Sequence, residues 1–368
     1  MRIFAQDDRA FQSGVVHLDD AILSVEFLVD AQQVMQYFAV GIGVPSTITA
    51  CGPIKLSYGS YIDEEAKSIS YEQLKMRVES GENMLVASYY KNIDACECQR
   101  DFYNLIKDYM SENHYLFYSF DCGEMEDSKD NYGFVNLEVS APSLYIINKG
   151  KVFKKYSYTQ KAYEKVFKDY SFLTKEINKY CRKPSLFYVN EDVINSNLKT
   201  KDKIGIAYVR SSCPDCTYFL PNFLIPFTEA VDLNVETWIY DIDYCYSDKE
   251  AYQKLKDSHQ LSEEANGVLG YGNGVVPTIQ YYENGILISA CVYFNDTIAF
   301  DSEQNSYVIS DTYYTESRVV NLPYLDYSDI LLHKKINEDE ISSSRWINEC
   351  AAKVHNPIIE KFYRYYFL

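Results

Sequence analysis

Ser211-Ser212-Cys213-Pro214-Asp215-Cys216 sets two cysteines three positions apart where an apolar strand gives way to a helix. Upstream, Ile204, Ile206, Tyr208 and Val209 sit in a β-branched-rich run from Lys203 that reads as a buried strand. Downstream, Phe219, Leu220, Phe223, Leu224 and Phe227 recur at helical spacing and form one apolar face. A cysteine at a helix start feels the positive end of the helix dipole, which stabilises the thiolate, the species that attacks disulfides. The second cysteine lies one turn on and can close a short disulfide. Taken alone, Cys-x-x-Cys also fits half of a zinc knuckle.

Its surroundings narrow the choice. Pro221 falls inside the predicted helix and should kink it. The segment from Gly274 to Ile286 reads as a proline opening a strand, an Asn284-Gly285 turn and a second strand, a β-hairpin signal. With Cys-x-x-Cys, a kink proline and Val276-Pro277-Thr278 in this order, residues 184–294 resemble the thioredoxin superfamily. The resemblance implies an α/β fold with a mixed central sheet flanked by helices. It also implies a cis Val276-Pro277 bond and a substrate groove formed by Pro214, Asp215, Val276, Pro277 and Thr278. By the same resemblance Cys213 attacks protein disulfides, Cys216 resolves the mixed disulfide, and no cofactor or metal is needed. Two positions depart from the pattern. Ala207 stands where thioredoxins carry a buried aspartate, and Ser212 where they carry a tryptophan. Asp215 is either a partial substitute for the missing proton acceptor or a solvated turn residue.

The same order of elements occurs earlier in the chain. Ser70-Tyr71-Glu72-Gln73 is a capping box with Leu74 and Val78 on one helical face, and Gly81 ends that helix. Met84–Tyr90 reads as a strand, Cys96-Glu97-Cys98-Gln99 opens a helix, and Tyr115–Phe120 is another strand. Ala141-Pro142 then leads a strand and turn ending at Gly150, followed by one long helix carrying Tyr163, Val166, Phe167, Tyr170, Ile177 and Tyr180. This is an internal duplication, which predicts two tandem thioredoxin-like units. Setting Cys98 opposite Cys216 puts Ala95 opposite Cys213, so Cys96, Cys98 and Pro142 read as a degenerate site that docks or supports. A redox-active Cys96–Cys98 disulfide and a four-cysteine zinc site shared with Cys213 and Cys216 are the other readings.

A chain of 368 residues suits two domains with appendages. The boundaries expected are a leader over 1–50, a first unit over 51–182 and a second over 183–368. The second carries an insertion near 295–345, where the pattern breaks off before resuming in a terminal helix capped by Asn356 and Pro357. The balance of 35 basic and 53 acidic residues, −18 net, argues against nucleic acid or an anionic bilayer as partner. Thirty-six tyrosines read as half-buried faces with polar tips outward, and five scattered histidines as surface or helix-end residues. Lys149 to Lys183 is locally basic, either a solvated face or a surface that docks against the acidic second repeat.

Near the start, the apolar run Tyr37–Val44 and Ile48-Thr49-Ala50-Cys51 resemble a signal core and a bacterial lipobox, with Cys51 as the lipidation candidate. No Lys or Arg lies between Arg9 and Cys51, so a poorly ordered cytoplasmic tail is the competing reading. The overall plan is similar to tandem thioredoxin-like surface lipoproteins of Gram-positive bacteria, including bacteriocin transport accessory proteins. That likeness implies an extracytoplasmic, lipid-anchored protein. Two functions follow: a thiol–disulfide oxidoreductase, acting as reductant or isomerase on protein thiols with a possible membrane electron donor, or a non-catalytic docking protein.

Overall fold

The computed structural model describes residues 52–90, 92–123, 141–261, 274, 276–292 and 359–368, together with short strands at 16–18, 21–23, 298–301, 306–309 and 335–336. Met1–Gly52 and Pro53–Leu368 are separate compact units. In the first, β1 (Val16–Leu18) and β2 (Ala21–Leu23) pair antiparallel. The run from Tyr37 and the Cys51 motif lie outside the described residues, as do Asn356 and Pro357.

The second unit opens with β3 (Ile54–Lys55) and β4 (Gly59–Ser60) and then builds a five-stranded sheet. Its strands are β5 (Lys67–Ser68), β6 (Met84–Tyr89), β7 (Phe117–Asp121), β8 (Ser143–Asn148) and β9 (Lys151–Ser157), in the order β5-β7-β6-β8-β9. The first three are parallel, β8 runs antiparallel to β6, and β9 runs antiparallel to β8. After β10 (Cys181–Arg182), the strands β11 (Leu186–Val189), β12 (Lys203–Val209), β13 (Thr237–Asp241), β14 (Thr278–Glu283) and β15 (Ile286–Val292) repeat the plan. Their order, β11-β13-β12-β14-β15, has the same directions strand for strand.

The duplication extends to register. Ser88 faces Ser143 one residue before β6 ends, and Tyr208 faces Thr278 one residue before β12 ends. Each antiparallel hairpin shifts register after its fourth residue, at Ile146/Ile147 and at Tyr281/Tyr282. Both hairpins turn through two positive-φ residues, Lys149-Gly150 and Asn284-Gly285, the geometry that matches strand twist. Ala141-Pro142 and Val276-Pro277, each opening its antiparallel strand, are both cis. The fold is therefore α/β with two tandem thioredoxin-like sheets.

Helices cover the sheets where periodicity places them. In α1 (Tyr71–Glu79) the Ser70–Gln73 capping box closes as expected and Leu74 and Val78 are buried. The helix α2 (Glu97–Asn113) buries Phe102, Leu105, Ile106 and Tyr109. The single helix expected from Tyr163 to Tyr180 is broken. A π-helical turn occupies Tyr163–Phe167, and α3 (Tyr170–Tyr180) starts afresh because Asp169 caps the amides of Ser171 and Phe172. The second sheet carries α4 (Glu191–Asn197), α5 (Pro214–Phe219), α6 (Ile225–Ala230), α7 (Asp243–Tyr246) and α8 (Lys249–Ser258). Between α5 and α6 the backbone widens into a π-helical turn, Leu220–Leu224, around Pro221, which has no N–H to give the ladder.

The two sheets share one contiguous apolar core. Chain from before β5 crosses to the second sheet: β4 pairs parallel with β11 and makes it six-stranded, and β3 pairs with β10. Gly59 permits this approach, since a Cβ there would stand 2.5 Å from the His114 carbonyl oxygen and from the Phe187 ring. Lys55 is buried at the end of α6, donating to the Val231 carbonyl at 2.8 Å. Arg182 and Lys183, ending the basic stretch, reach Asp232 at 2.9 Å and Glu236 at 3.2 Å.

A helix over 359–366 closes the second sheet with Ile359, Phe362 and Tyr363 buried. Gly205 in β12 leaves room for Phe367, whose ring would lie 2.3 Å from a Cβ there. Within the stretch expected as an insertion, β16 (Ile298–Asp301), β17 (Ser306–Ile309) and β18 (Lys335–Ile336) form a separate antiparallel sheet. Many tyrosines turn inward rather than tip outward, with Tyr109, Tyr118, Tyr145, Tyr208, Tyr281, Tyr282 and Tyr363 fully buried. His259 is likewise a buried residue and not a surface one. It ends α8 with its ring on the Tyr208 hydroxyl at 3.2 Å. Around Tyr282 the buried polar atoms pair internally: its hydroxyl donates to Gln280, whose amide donates to the His259 and Gln260 carbonyls.

Candidate functional site

β12 ends at Val209, and four residues later Cys213 is the N-cap of α5. Pro214 follows at the first helical position, where its fixed φ suits the helix and its missing N–H costs nothing. Cys216, one turn on, is 1 % exposed and its sulfur accepts from the Arg210 amide at 3.4 Å. Cys213 is 7 % exposed, and its sulfur lies 3.7 Å from the Val276 carbonyl oxygen, next to cis-Pro277. The fold thus brings Cys213, Cys216, Val276 and Pro277 into one place. Pro214 is exposed and Asp215 half-buried on the first turn, while Thr278 is buried at the head of β14.

Both cysteines are free thiols, and their surroundings separate their acidities. The Cys213 thiol is pushed down to about 6. A hydrogen bond from Cys216 lowers it most, burial opposes, the Cys216 and Asp215 amides lower it further, and the Asp215 carboxylate raises it. Cys216 is raised, first by its bond to Cys213 and then by burial. One sulfur is a thiolate near neutrality and the other holds the proton, the division that attack followed by resolution requires. Elsewhere burial alone pushes Cys181 and Cys291 up to about 12, so those thiols are inert core residues.

Sequence reasoning missed what holds the loop before Cys213. Asp243, at the start of α7, accepts from the Ser211 hydroxyl at 2.7 Å, the Ser212 hydroxyl at 2.6 Å and the Ser212 amide at 2.9 Å. Those bonds lower its carboxyl. Its amide in turn donates to Asp241 at 3.0 Å. Arg210 lies 3.8 Å from Asp243 and stacks 3.4 Å over the Tyr246 ring. Burial lowers the guanidinium, but Tyr246, the Cys213 thiolate and Asp243 together raise it. Ser212, standing where thioredoxins carry a tryptophan, is therefore part of a polar clamp. Arg210, three residues before Cys213, was a visible signal; Asp243 had none, being brought in by a different strand. Beside the clamp, an open cavity of about 500 Å³ lies at the ends of β11 and β13, lined by Ile62, Lys67, Tyr188, Glu191, Asp241 and Tyr244.

In the first sheet, Cys96 and Cys98 are joined by a disulfide. Cys96 is the N-cap of α2, as Cys213 is of α5, so the fold sets Cys96, not Ala95, opposite Cys213. Matching Cys98 to Cys216 fails because Cys96 and Cys98 are one residue closer together than Cys213 and Cys216, while the helix caps coincide. Among the described residues no cluster of His, Cys, Asp and Glu could hold a metal ion.

Strand order, cis prolines and helix-start cysteines define a thioredoxin-fold chain with one dithiol site and one disulfide at the matching position. No family model matches the chain, and no curated protein matches it. Solved structures similar to it include a thioredoxin variant from Halobacterium salinarum, at 14% identity over 32% of this chain and 91% of that one, TM-score 0.24. Human ERp44 in its zinc-bound form is 14% identical over 62% of this chain and 53% of its own, TM-score 0.23. ERdj5 is 12% identical over 74% of this chain and 30% of its own, TM-score 0.24. The chain thus spans about half of ERp44 and less than a third of ERdj5.

Proposed function

We propose that the protein exchanges thiols and disulfides with protein cysteines through Cys213 and Cys216, as a reductant or isomerase. The observation that carries this is the pairing of an acidified N-cap thiol, Cys213, with a buried, proton-holding Cys216 beside cis-Pro277. The Cys213 thiolate attacks a substrate disulfide, one substrate thiolate leaves, and Cys216 then attacks Cys213 to release the second. Asp215 raises both thiols, which disfavours the reduced thiolate form and biases the couple toward giving up electrons. Cys213→Ser abolishes insulin disulfide reduction and Cys216→Ser accumulates mixed disulfides; undiminished reduction by Cys213→Ser overturns the mechanism.

The deep setting of Cys213 favours one second reading, a docking protein whose thioredoxin-like grooves bind partners without turnover. An inactive wild type that still binds protein ligands selects it. For location, we propose lipid attachment at Cys51, with an extracytoplasmic protein held at the membrane by acyl chains alone and recharged by a membrane electron donor. Among the described residues, no helix is long and apolar enough to cross a membrane. Intact-mass measurement on protein from its native host tests this: a chain retaining residues 1–50 in the soluble fraction sinks it.

A further inference from the structure

We propose that Cys96 and Cys98 form a second thiol–disulfide exchange site that takes electrons from protein dithiols, independent of Cys213 and Cys216. The argument is positional. The two sheets match in strand order, direction, register and bulge, so positions in one can be carried to the other. Tyr90, the first residue after β6, corresponds to Arg210, the first after β12. The Arg210 amide donates to Cys216 Sγ; the Tyr90 amide donates to Gln99 Oε1 at 2.6 Å. Gln99 and Cys216 are both third after their N-cap cysteine and both buried. The half built on the first sheet has therefore kept the attacking cysteine as Cys96 and filled the resolving position with Gln99. The resolving thiol has moved one residue closer, to Cys98.

The remaining parts of an exchange site are present. Cys96 is half-buried and the more exposed of the two cysteines, which makes its sulfur the point of attack. Its sulfur accepts the Cys98 amide at 3.1 Å at the start of a helix of 17 residues, so a thiolate leaving there is stabilised by an N–H and by the helix dipole. Cis-Pro142 heads β8 in the register that Pro277 holds at the head of β14. A substrate thiolate attacks Cys96 Sγ, the Cys96–Cys98 bond breaks, and Cys98 leaves as a thiolate that takes up a proton. The second substrate thiol then attacks the substrate sulfur of the mixed disulfide and expels the Cys96 thiolate. Two electrons pass from the substrate dithiol to the cysteine pair, and the substrate leaves as a disulfide.

The test uses the full chain carrying Cys213→Ser and Cys216→Ser, so that it reads only the second site. The oxidised protein is mixed with a fluorescent dithiol peptide, and peptide disulfide is counted after acid quenching. One disulfide per chain is expected, together with two new alkylatable thiols at Cys96 and Cys98 by peptide mass mapping. Adding Cys96→Ser, which keeps a good N-cap and hence the helix, should remove the transfer. Adding Cys98→Ser, which leaves Cys96 a lone thiol with no disulfide to break, should likewise remove the transfer. Transfer of no disulfide by a chain whose far-ultraviolet spectrum is unchanged overturns the proposal, as does transfer that survives Cys96→Ser. Loss of insulin reduction in Cys213→Ser bears on the first site alone, so the two sites fail separately.

Discussion

Gln99 stands in the first sheet where Cys216 stands in the second: each accepts a hydrogen bond from the first backbone amide beyond the central strand, Tyr90 in one case and Arg210 in the other. The fold demands an acceptor at this point because the amide is turned inward as strand passes to helix, and an unmet donor there is costly. Redox chemistry is one use of the position, and plain hydrogen bonding another.

That relationship makes Gln99→Ala a measurable lesion. Gln99 is buried, so truncation leaves the Tyr90 amide without its acceptor and should lower unfolding free energy by ~1–3 kcal/mol in urea titrations. Gln99→Glu, which keeps an acceptor, should cost less at low pH, where the buried carboxyl is protonated. Equal losses would mean the bond is not what Gln99 contributes.

Because the Cys213 thiol is lowered to about 6, its alkylation by iodoacetamide should rise with a midpoint near that pH, leaving ~90% thiolate at pH 7. Asp215 raises this thiol, so Asp215→Asn should move the midpoint lower, and Asp215→His should also make the couple more oxidising. A midpoint near the ordinary cysteine value of 9.0 would contradict the arrangement.

Asp243 touches neither thiol, yet it holds Ser211 and Ser212 by three hydrogen bonds and faces Arg210. Asp243→Ala should slow insulin reduction by about tenfold through misplacement of Cys213, with kcat falling more than KM rises. Asp243→Asn, which retains an acceptor, should recover part of that loss. A proportionate fall in folded protein would instead mark Asp243 as merely structural.

Where the two sheets meet, Glu229 accepts from Ser57 and its carboxyl is raised to about 7 by burial, with Glu82 adding to the rise and Ser57, Lys149 and the Asn83 amide opposing it. A carboxyl raised in the folded state stabilises the fold fully below its unfolded value of 4.5, and that contribution is lost as pH rises through about 7. Allowing for partial exposure, the span is roughly 1–3 kcal/mol. Glu229→Gln keeps the Ser57 contact without the charge, so it should raise the denaturation midpoint at pH 8 and leave it unchanged near pH 4. A parallel loss at both values would refute the assignment.

Most elements were legible in sequence because their causes are local. The Ser70–Gln73 box, the strand from Lys203, the Asn284-Gly285 turn and the proline at the first position of α5 each depend on residues a few positions apart. The tandem plan was legible too, since the same local signals recur in the same order. The break before α3 was not, because apolar spacing runs through it and only the cap at Asp169 marks the restart.

Sequence alone determined where most strands, helices and turns form and that two cysteines stand at a helix start; their place beside Val276-Pro277 was implied by resemblance. Only the tertiary structure decided which first-sheet residue answers to Cys213, because the helix cap and the inward amide fix the match while the cysteine spacing differs by one residue. The tertiary structure also decided that Asp243 clamps the loop before Cys213 and that β4 joins the far sheet. Both contacts join residues distant in sequence. Their geometry follows from how the sheets pack, which no short stretch of chain specifies.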